Sequence, residues 1–440
     1  MEIKKDIVNL EQLKKNPVFQ LSLSAKELFH SNFLYWIASS YPKLFNGVMK
    51  KLDVNIKLSE DSAENIVERE YNHFDFCICK EDEKKKKKIS FVLENKFKSI
   101  PYKAQLEKYN GQIKKINGKV DIPRVLLTLA TEFEGYDAKN TDNVNGWKVI
   151  TYSKYIEAIR DVINEYNLDT FDKELINKYC NFVETIVAFM NKKLRDNLSW
   201  NKMLEVSKEL EPLRLHDVWQ KLYASKLFTQ LKYTPIPVKD FSVLMKNASS
   251  LDQNQKPIPG KIYKELSYGT SGVYISVAIP VKVNDNWFCV IIQVQGHDYR
   301  IGFIVKKNQL DRFENIVKHF SDLLAGTKLK RGTSGGIINR DTYCVYDSDY
   351  PFYYRKWADA NKLSAANMAE KLKKDIETIQ KIIIPLLPPQ TSVPPYRELK
   401  KGVLIFNTMG LRKQFLRTFL NVRKCVRGKS AENFAYESSC

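Results

Sequence analysis

The chain is poor in the residues that several classes of protein require. It has five histidines among 440 residues, none in a pattern with another, so a metal centre built on histidine has too few ligands. Its seven cysteines are odd in number and scattered. That usage fits a reducing compartment better than a disulfide framework, and the expected location is cytoplasmic. No apolar run approaches the roughly 18 residues that a membrane-spanning helix needs, and no membrane partner is expected. Residues 1–6 lack the apolar core of a secretory leader. There is no Walker A loop, which argues against an ATPase, and no repeat of solenoid period.

What is present is an ordinary globular composition with an excess of positive charge. Hydrophobic residues make up 43% and aromatics 12%, spread along the chain, which argues against long disorder. At roughly 150 residues per domain the length suggests two or three domains. Lys and Arg number 71 against 51 Asp and Glu, a net charge of +20. An excess of that size favours a polyanionic partner, nucleic acid before an acidic membrane surface.

The first 199 residues have the pattern of a mixed α/β domain. A helix is expected over 24–40, with Ser24 as N-cap and Glu27 three residues on. Short β-rich runs follow at 74–79 and 89–95, joined by a charged hairpin loop over 80–88. An amphipathic helix is expected over 102–116, strands over 124–130 and 147–152, and helices over 153–166 and 171–194. A second domain, 200–390, opens with helices to about residue 233. It continues with antiparallel strands at 272–281, 287–294 and 299–305 and helices at 309–325 and 362–387. Prolines 388, 389, 394 and 395 mark a linker. The tail, 391–440, is basic: from residue 396 onward it holds ten basic and three acidic residues.

The chemistry is concentrated between Asp75 and Tyr109. Residues two apart on a strand share a face. Asp75 therefore points with Cys77 and Cys79, and Glu94 points with Lys96 and Val92. One hairpin can thus gather two carboxylates and an ammonium on one surface. Two close carboxylates repel unless a cation lies between them. Hard oxygen ligands suit Mg²⁺, which also takes phosphate oxygens, so the set points to metal-assisted phosphodiester hydrolysis.

The order Phe74-Asp75, then Leu93-Glu94-Asn95-Lys96, resembles the PD-(D/E)XK nuclease superfamily, although Phe74 stands where that motif has proline. Gln105-Leu106-Glu107-Lys108-Tyr109 is similar to the QhxxY motif of its RecB-type members, and Glu27 lies on a helix resembling the one that often adds an acidic ligand. The resemblance covers about residues 20–195. It implies a restriction-endonuclease-like αβββαβ core, followed here by the C-terminal α+β domain with its antiparallel sheet. It further implies metal ligands Glu27, Asp75, Glu94 and the Asn95 carbonyl, with Lys96 as a catalytic partner and Gln105 and Tyr109 on the nucleic acid. The implied cofactor is Mg²⁺, replaceable by Mn²⁺. DNA is the expected substrate, with RNA left open, and the layout resembles bacterial nucleases near phage-defence genes. A homodimer or an activating partner is compatible with this reading. A non-catalytic nucleic-acid-binding protein, or a nuclease gated by a signal on the C-terminal domain, are the alternatives.

Other features carry less. Lys84, Lys85, Lys86, Lys87 and Lys88 either reach a flanking phosphate or form a solvated hairpin tip. Whether Glu68 or Glu70 also ligates metal stays open. Cys77-Ile78-Cys79 lacks the spacing and the second Cys or His pair of a zinc site. His30 and His73 lie near the site in sequence and are better taken as structural. Gly-Thr-Ser-Gly occurs at 269–272 and 332–335 and suits turns more than anion nests. Trp287, Phe288, Tyr299 and Phe303 are expected core positions that would stack bases only if they faced solvent.

Overall fold

The computed structural model describes residues 12–25, 27–59, 66–83, 85–118, 120–133, 135–137, 141–231, 236–237, 262–269, 272–283, 286–305, 352–357 and 362–383. All of them fall within one compact unit, Met1–Pro388. The expected helix over 309–325, the proline linker, the basic tail, the Gly-Thr-Ser-Gly copy at 332–335 and Lys84 lie outside the described residues.

Three helices, α1 (Pro17–Ala25), α2 (Glu27–Ser40) and α3 (Pro42–Lys51), precede the first sheet. Pro42 opens α3, where its fixed φ suits a helix and its missing N–H costs no bond. The sheet is built from β1 (Ile66–Tyr71), β2 (Phe74–Glu81), β3 (Lys87–Lys96), β4 (Arg124–Thr128) and β5 (Trp147–Thr151), with α4 (Lys103–Asn117) between β3 and β4. Gly118, at φ +79°, takes the left-handed conformation that ends α4. The strand order is β1-β2-β3-β4-β5, with Asn143–Val144 on the outer edge. The β1–β2 and β2–β3 pairs are antiparallel, while β3–β4 and β4–β5 are parallel. Helices α5 (Tyr152–Val162) and α6 (Thr170–Arg195) follow. The order α2-β1-β2-β3-α4-β4 is the expected αβββαβ core.

The sequence pattern located β2 and β3 but not β1. This edge strand is half exposed and carries Glu68, Arg69 and Glu70 in succession, so its alternation is weak. It turns into β2 through Asn72 and His73, both at positive φ. A two-residue loop of that kind matches the right-handed twist of its flanking strands, and Asn tolerates the left-handed conformation well. His73 is thus an exposed turn residue.

The sheet is covered on both faces. Phe76 and Phe91 meet edge-to-face at 6.1 Å, and Phe45 of α3 approaches Phe76 at 5.4 Å. Helix α4 lays Tyr109 against Phe74 and Trp147, with ring centroids 5.3 and 6.0 Å apart.

The second half holds an antiparallel sheet of β6 (Tyr263–Gly269), β7 (Gly272–Val283), β8 (Asn286–Gln295), β9 (Asp298–Val305) and β10 (Phe352–Trp357), paired in that order. Ile236–Pro237 pairs in parallel at its β6 edge. The three expected strands are β7, β8 and β9; β6 and β10 have mixed polar patterns and escaped the reading. Gly272 has a φ of +86°, the left-handed conformation that favours glycine. Phe288, Tyr299 and Phe303 are buried, so these three are core and not a base-stacking platform. Between the two sheets come α7 (Trp200–Glu209) and α8 (His216–Gln230), and α9 (Ala365–Ile383) closes the described chain.

Candidate active site

The hairpin register fixes the site. Phe76 pairs with Leu93 and Cys77 with Val92, and one more step places Asp75 across from Glu94. Opposed residues of an antiparallel pair share a face, so the two carboxylates meet on the face that carries Lys96. The Lys96 ammonium lies 2.6 Å from Glu94 Oε1. Asp75 Oδ2 accepts the Asn95 N–H at 2.7 Å. A residue in a strand directs its N–H and C=O to the same edge, so the Asn95 carbonyl is also turned toward Asp75.

Glu94 is almost fully buried, and its two oxygens are treated differently. Oε1 accepts from Lys96, from the Tyr109 hydroxyl at 3.0 Å and from Gln105 Nε2 at 3.4 Å. Oε2 is buried without a hydrogen-bond partner. A buried carboxylate oxygen left bare is costly, and here it is one atom of an acidic pair. That is the arrangement a hard cation satisfies.

The electrostatics agree. Burial first, and then the Glu94 charge, push the Asp75 carboxyl up to about 7, against the pull of Lys96 and the Asn95 N–H. Burial also raises the Glu94 carboxyl, although Lys96 and Tyr109 oppose it. Burial disfavours the Lys96 ammonium, but the charges of Glu94, Glu27 and Asp75 outweigh this and raise it above the ordinary lysine range. Lys96 therefore stays protonated at neutral pH. It can donate to a water or a phosphate oxygen but cannot take a proton.

Glu27, at the start of α2, is held at the end of β3. Its Oε1 accepts the Lys98 N–H at 3.0 Å and the Ser99 hydroxyl at 2.7 Å. Asn95 points to the opposite face from Glu94. There its Nδ2 donates to the Glu27 carbonyl at 3.1 Å and lies 3.3 Å from Ser31 Oγ, while its Oδ1 accepts from Tyr152 at 2.6 Å. Asn95 thus ties α2 and α5 to the strand bearing Glu94 and Lys96. Ser31, Ser99 and Tyr152 were not foreseen, because nothing in sequence spacing links them to the hairpin.

The structure places the remaining expected residues less centrally. Gln105 and Tyr109 share a helix face as expected, and they bond to Glu94 and to each other, 2.9 Å apart. Lys85 and Lys86 are exposed at the hairpin tip. Lys87 is paired with Glu68 and Lys88 donates to the Ile116 carbonyl. The tip lies about 20 Å from Asp75, taking roughly 3.3 Å per residue along β2, so it is not beside the carboxylates. Glu70 is exposed. His30 is buried, stacked on Phe97 at 3.7 Å and bonded to the Tyr179 hydroxyl. Burial, with the Lys98 charge adding to it, holds its imidazole well below the ordinary value, so it is a neutral core residue.

No helix among the described residues is long and apolar enough to cross a membrane. No curated protein and no solved structure matches the chain. Residues 16–181, which contain α2, the β1–β2–β3 hairpins, α4, β4, β5 and every one of the carboxylates above, match the family model described as PD-(D/E)XK nuclease superfamily.

Proposed function

We propose that the chain is a Mg²⁺-dependent deoxyribonuclease, with Mn²⁺ able to take the same place. The observation that carries this reading is the divided Glu94 carboxylate: one oxygen held by three donors, the other buried and bare beside Asp75. Asp75, Glu94 Oε2 and the Asn95 carbonyl would hold the cation, and Glu27 stands close enough in charge to shift both Asp75 and Glu94. When bound, the cation supplies a more acidic coordinated water and neutralises charge growing on the phosphate. Lys96, kept protonated by its acidic neighbours, orients the attacking water or donates to a phosphate oxygen. Tyr109 and Gln105 position Glu94.

DNA is favoured over RNA on superfamily grounds, and the +20 charge supports a polyanionic substrate. A role in bacterial phage defence or restriction rests on the resemblance alone. The test is cleavage of supercoiled plasmid, linear DNA and RNA by the full chain with Mg²⁺, Mn²⁺ or EDTA. Asp75→Ala, Glu94→Ala and Lys96→Ala run alongside. Metal-dependent DNA cutting by wild type, lost in all three variants, is expected. DNA binding in EDTA with no cutting under any metal would sink the enzymatic reading and leave a nucleic-acid-binding protein.

A further inference from the structure

Cys77 and Cys79 lie on the face of β2 that carries Asp75, and both are fully buried. Side chains two residues apart on a regular strand stand about 6.6 Å apart. Here the two Sγ atoms are 3.6 Å apart. The register between β2 and β3 shifts between Ile78 and Cys79, an irregularity of the kind that re-aims a side chain. The edge strand β1 brings Glu68 opposite Cys77. Glu68 also divides its oxygens: Oε1 holds the Lys87 ammonium at 2.5 Å, and Oε2 lies 3.8 Å from the Cys79 Sγ. One ligand atom from each of Glu68, Cys77 and Cys79 falls within 4.8 Å of the other two.

We propose that Glu68, Cys77 and Cys79 form a second metal site, for a thiophilic divalent cation of the Zn²⁺ type. It is separate from the Asp75–Glu94 centre and does not rest on the nuclease reading. The spacing suits such an ion. With Zn–S near 2.3 Å and Zn–O near 2.0 Å, tetrahedral coordination sets two sulfurs about 3.8 Å apart and a sulfur and an oxygen about 3.5 Å apart. The observed 3.6 and 3.8 Å lie close to these values, and the third pair, Cys77 Sγ and the Glu68 carboxylate, lies within 4.8 Å. Charge suits it too. Two thiolates, a carboxylate and a divalent ion sum to one negative charge, and the Lys87 ammonium on the far oxygen of Glu68 offsets it. The two thiol protons leave to solvent on binding. Two sulfur ligands select Zn²⁺ and disfavour Mg²⁺, so the two sites sort their ions by ligand softness. The side chains of Glu68 and Lys87 are 23% and 31% exposed, which gives an ion a way in from the β1 edge. A bound ion would pin this edge strand to β2, the strand that carries Asp75. The sequence set zinc aside on two grounds, the Cys77-Ile78-Cys79 spacing and the lack of a second Cys or His pair; here the two sulfurs nonetheless lie 3.6 Å apart, and the third ligand is a carboxylate on the neighbouring strand.

The test is a titration of the reduced full chain with Co²⁺, followed by displacement with Zn²⁺. Wild type should take up one equivalent with a thiolate-to-metal charge-transfer band. The band should vanish in Cys77→Ser and in Cys79→Ser, and the affinity should fall at least tenfold in Glu68→Gln. It should persist in the Asp75→Ala, Glu94→Ala double variant, which separates this site from the nuclease centre. Cadmium NMR of the wild-type chain, which needs no variant, should report two sulfur ligands. Absence of the band in wild type, its survival in either serine variant, or a cadmium resonance without sulfur coordination would each overturn the proposal.

Discussion

At Asp75 the metal-free protein holds a proton that the unfolded chain would give up. Burial and the Glu94 charge raise its carboxyl to about 7, far above the ordinary aspartate value. A carboxyl raised on folding contributes stability that is complete below its unfolded pKa and is lost as pH rises through the folded one. Stability from this group therefore declines between about pH 4 and pH 7 in EDTA. A cation on Asp75 displaces the proton, so metal binding competes with acid. The expected outcome is a Mg²⁺-induced rise in Tm that is small at pH 5.5 and larger at pH 8, measured by thermal unfolding of the full chain. In Asp75→Asn the Mg²⁺ response should be lost at both pH values. A Mg²⁺ effect independent of pH, or one that survives the substitution, would mean that the ion sits elsewhere.

Between elements, α4 matters to the site chiefly through Tyr109. Its ring packs on Phe74 and Trp147, and its hydroxyl reaches Glu94 across the gap between helix and sheet. Tyr109→Phe keeps the packing and removes one of the three donors on Glu94 Oε1. Groups that orient a metal ligand typically contribute about 10–100-fold in metal affinity or activity. Cleavage rate or Mg²⁺ affinity should fall by about that factor, with unfolding stability within about 1 kcal/mol of wild type. Unchanged kinetics would show that Glu94 needs no help from α4.

The same elements show what the sequence discloses and what it hides. Asp75, Glu94 and Lys96 could be placed together because they lie on one hairpin, where a period of two settles the face. The pairing of Gln105 with Tyr109 was legible because four residues span one helical turn. Their shared target was not, since a helix face says nothing of which strand it covers. The role of the Asn95 side chain was hidden for a similar reason: its partners Glu27, Ser31 and Tyr152 come from helices far away in sequence. Strand β1 was missed because an edge strand needs no clean alternation, and with it went Glu68 beside the two cysteines.

Over the whole molecule, α8 decides how the two sheets depend on each other. Val218, Trp219, Leu222, Tyr223, Ala224, Leu227 and Phe228 are buried and run around the helix instead of down one side. A helix apolar on all sides is a core helix with partners all round. Toward the N-terminal half, Ser225 donates to the Glu132 carbonyl at 2.8 Å in the short ribbon Glu132–Phe133/Tyr136–Asp137, and Lys221 donates to the Lys98 carbonyl at 3.1 Å, two residues beyond Lys96. Toward the second sheet, Gln220 Oε1 accepts the Val273 N–H at 3.2 Å. The region matching the nuclease superfamily ends at residue 181, well before this helix. A fragment of residues 1–199 should therefore contain every site residue and still fold poorly. Each large apolar side chain is worth about 1.5–3 kcal/mol when buried, and a domain of this size shifts its Tm by about 2–4 °C per kcal/mol. Loss of several such contacts predicts a fragment that melts at least about 10 °C below a 1–388 chain and binds a hydrophobic dye that the longer chain does not. Equal melting temperatures would show that the nuclease core stands alone and that α8 belongs to the second half only.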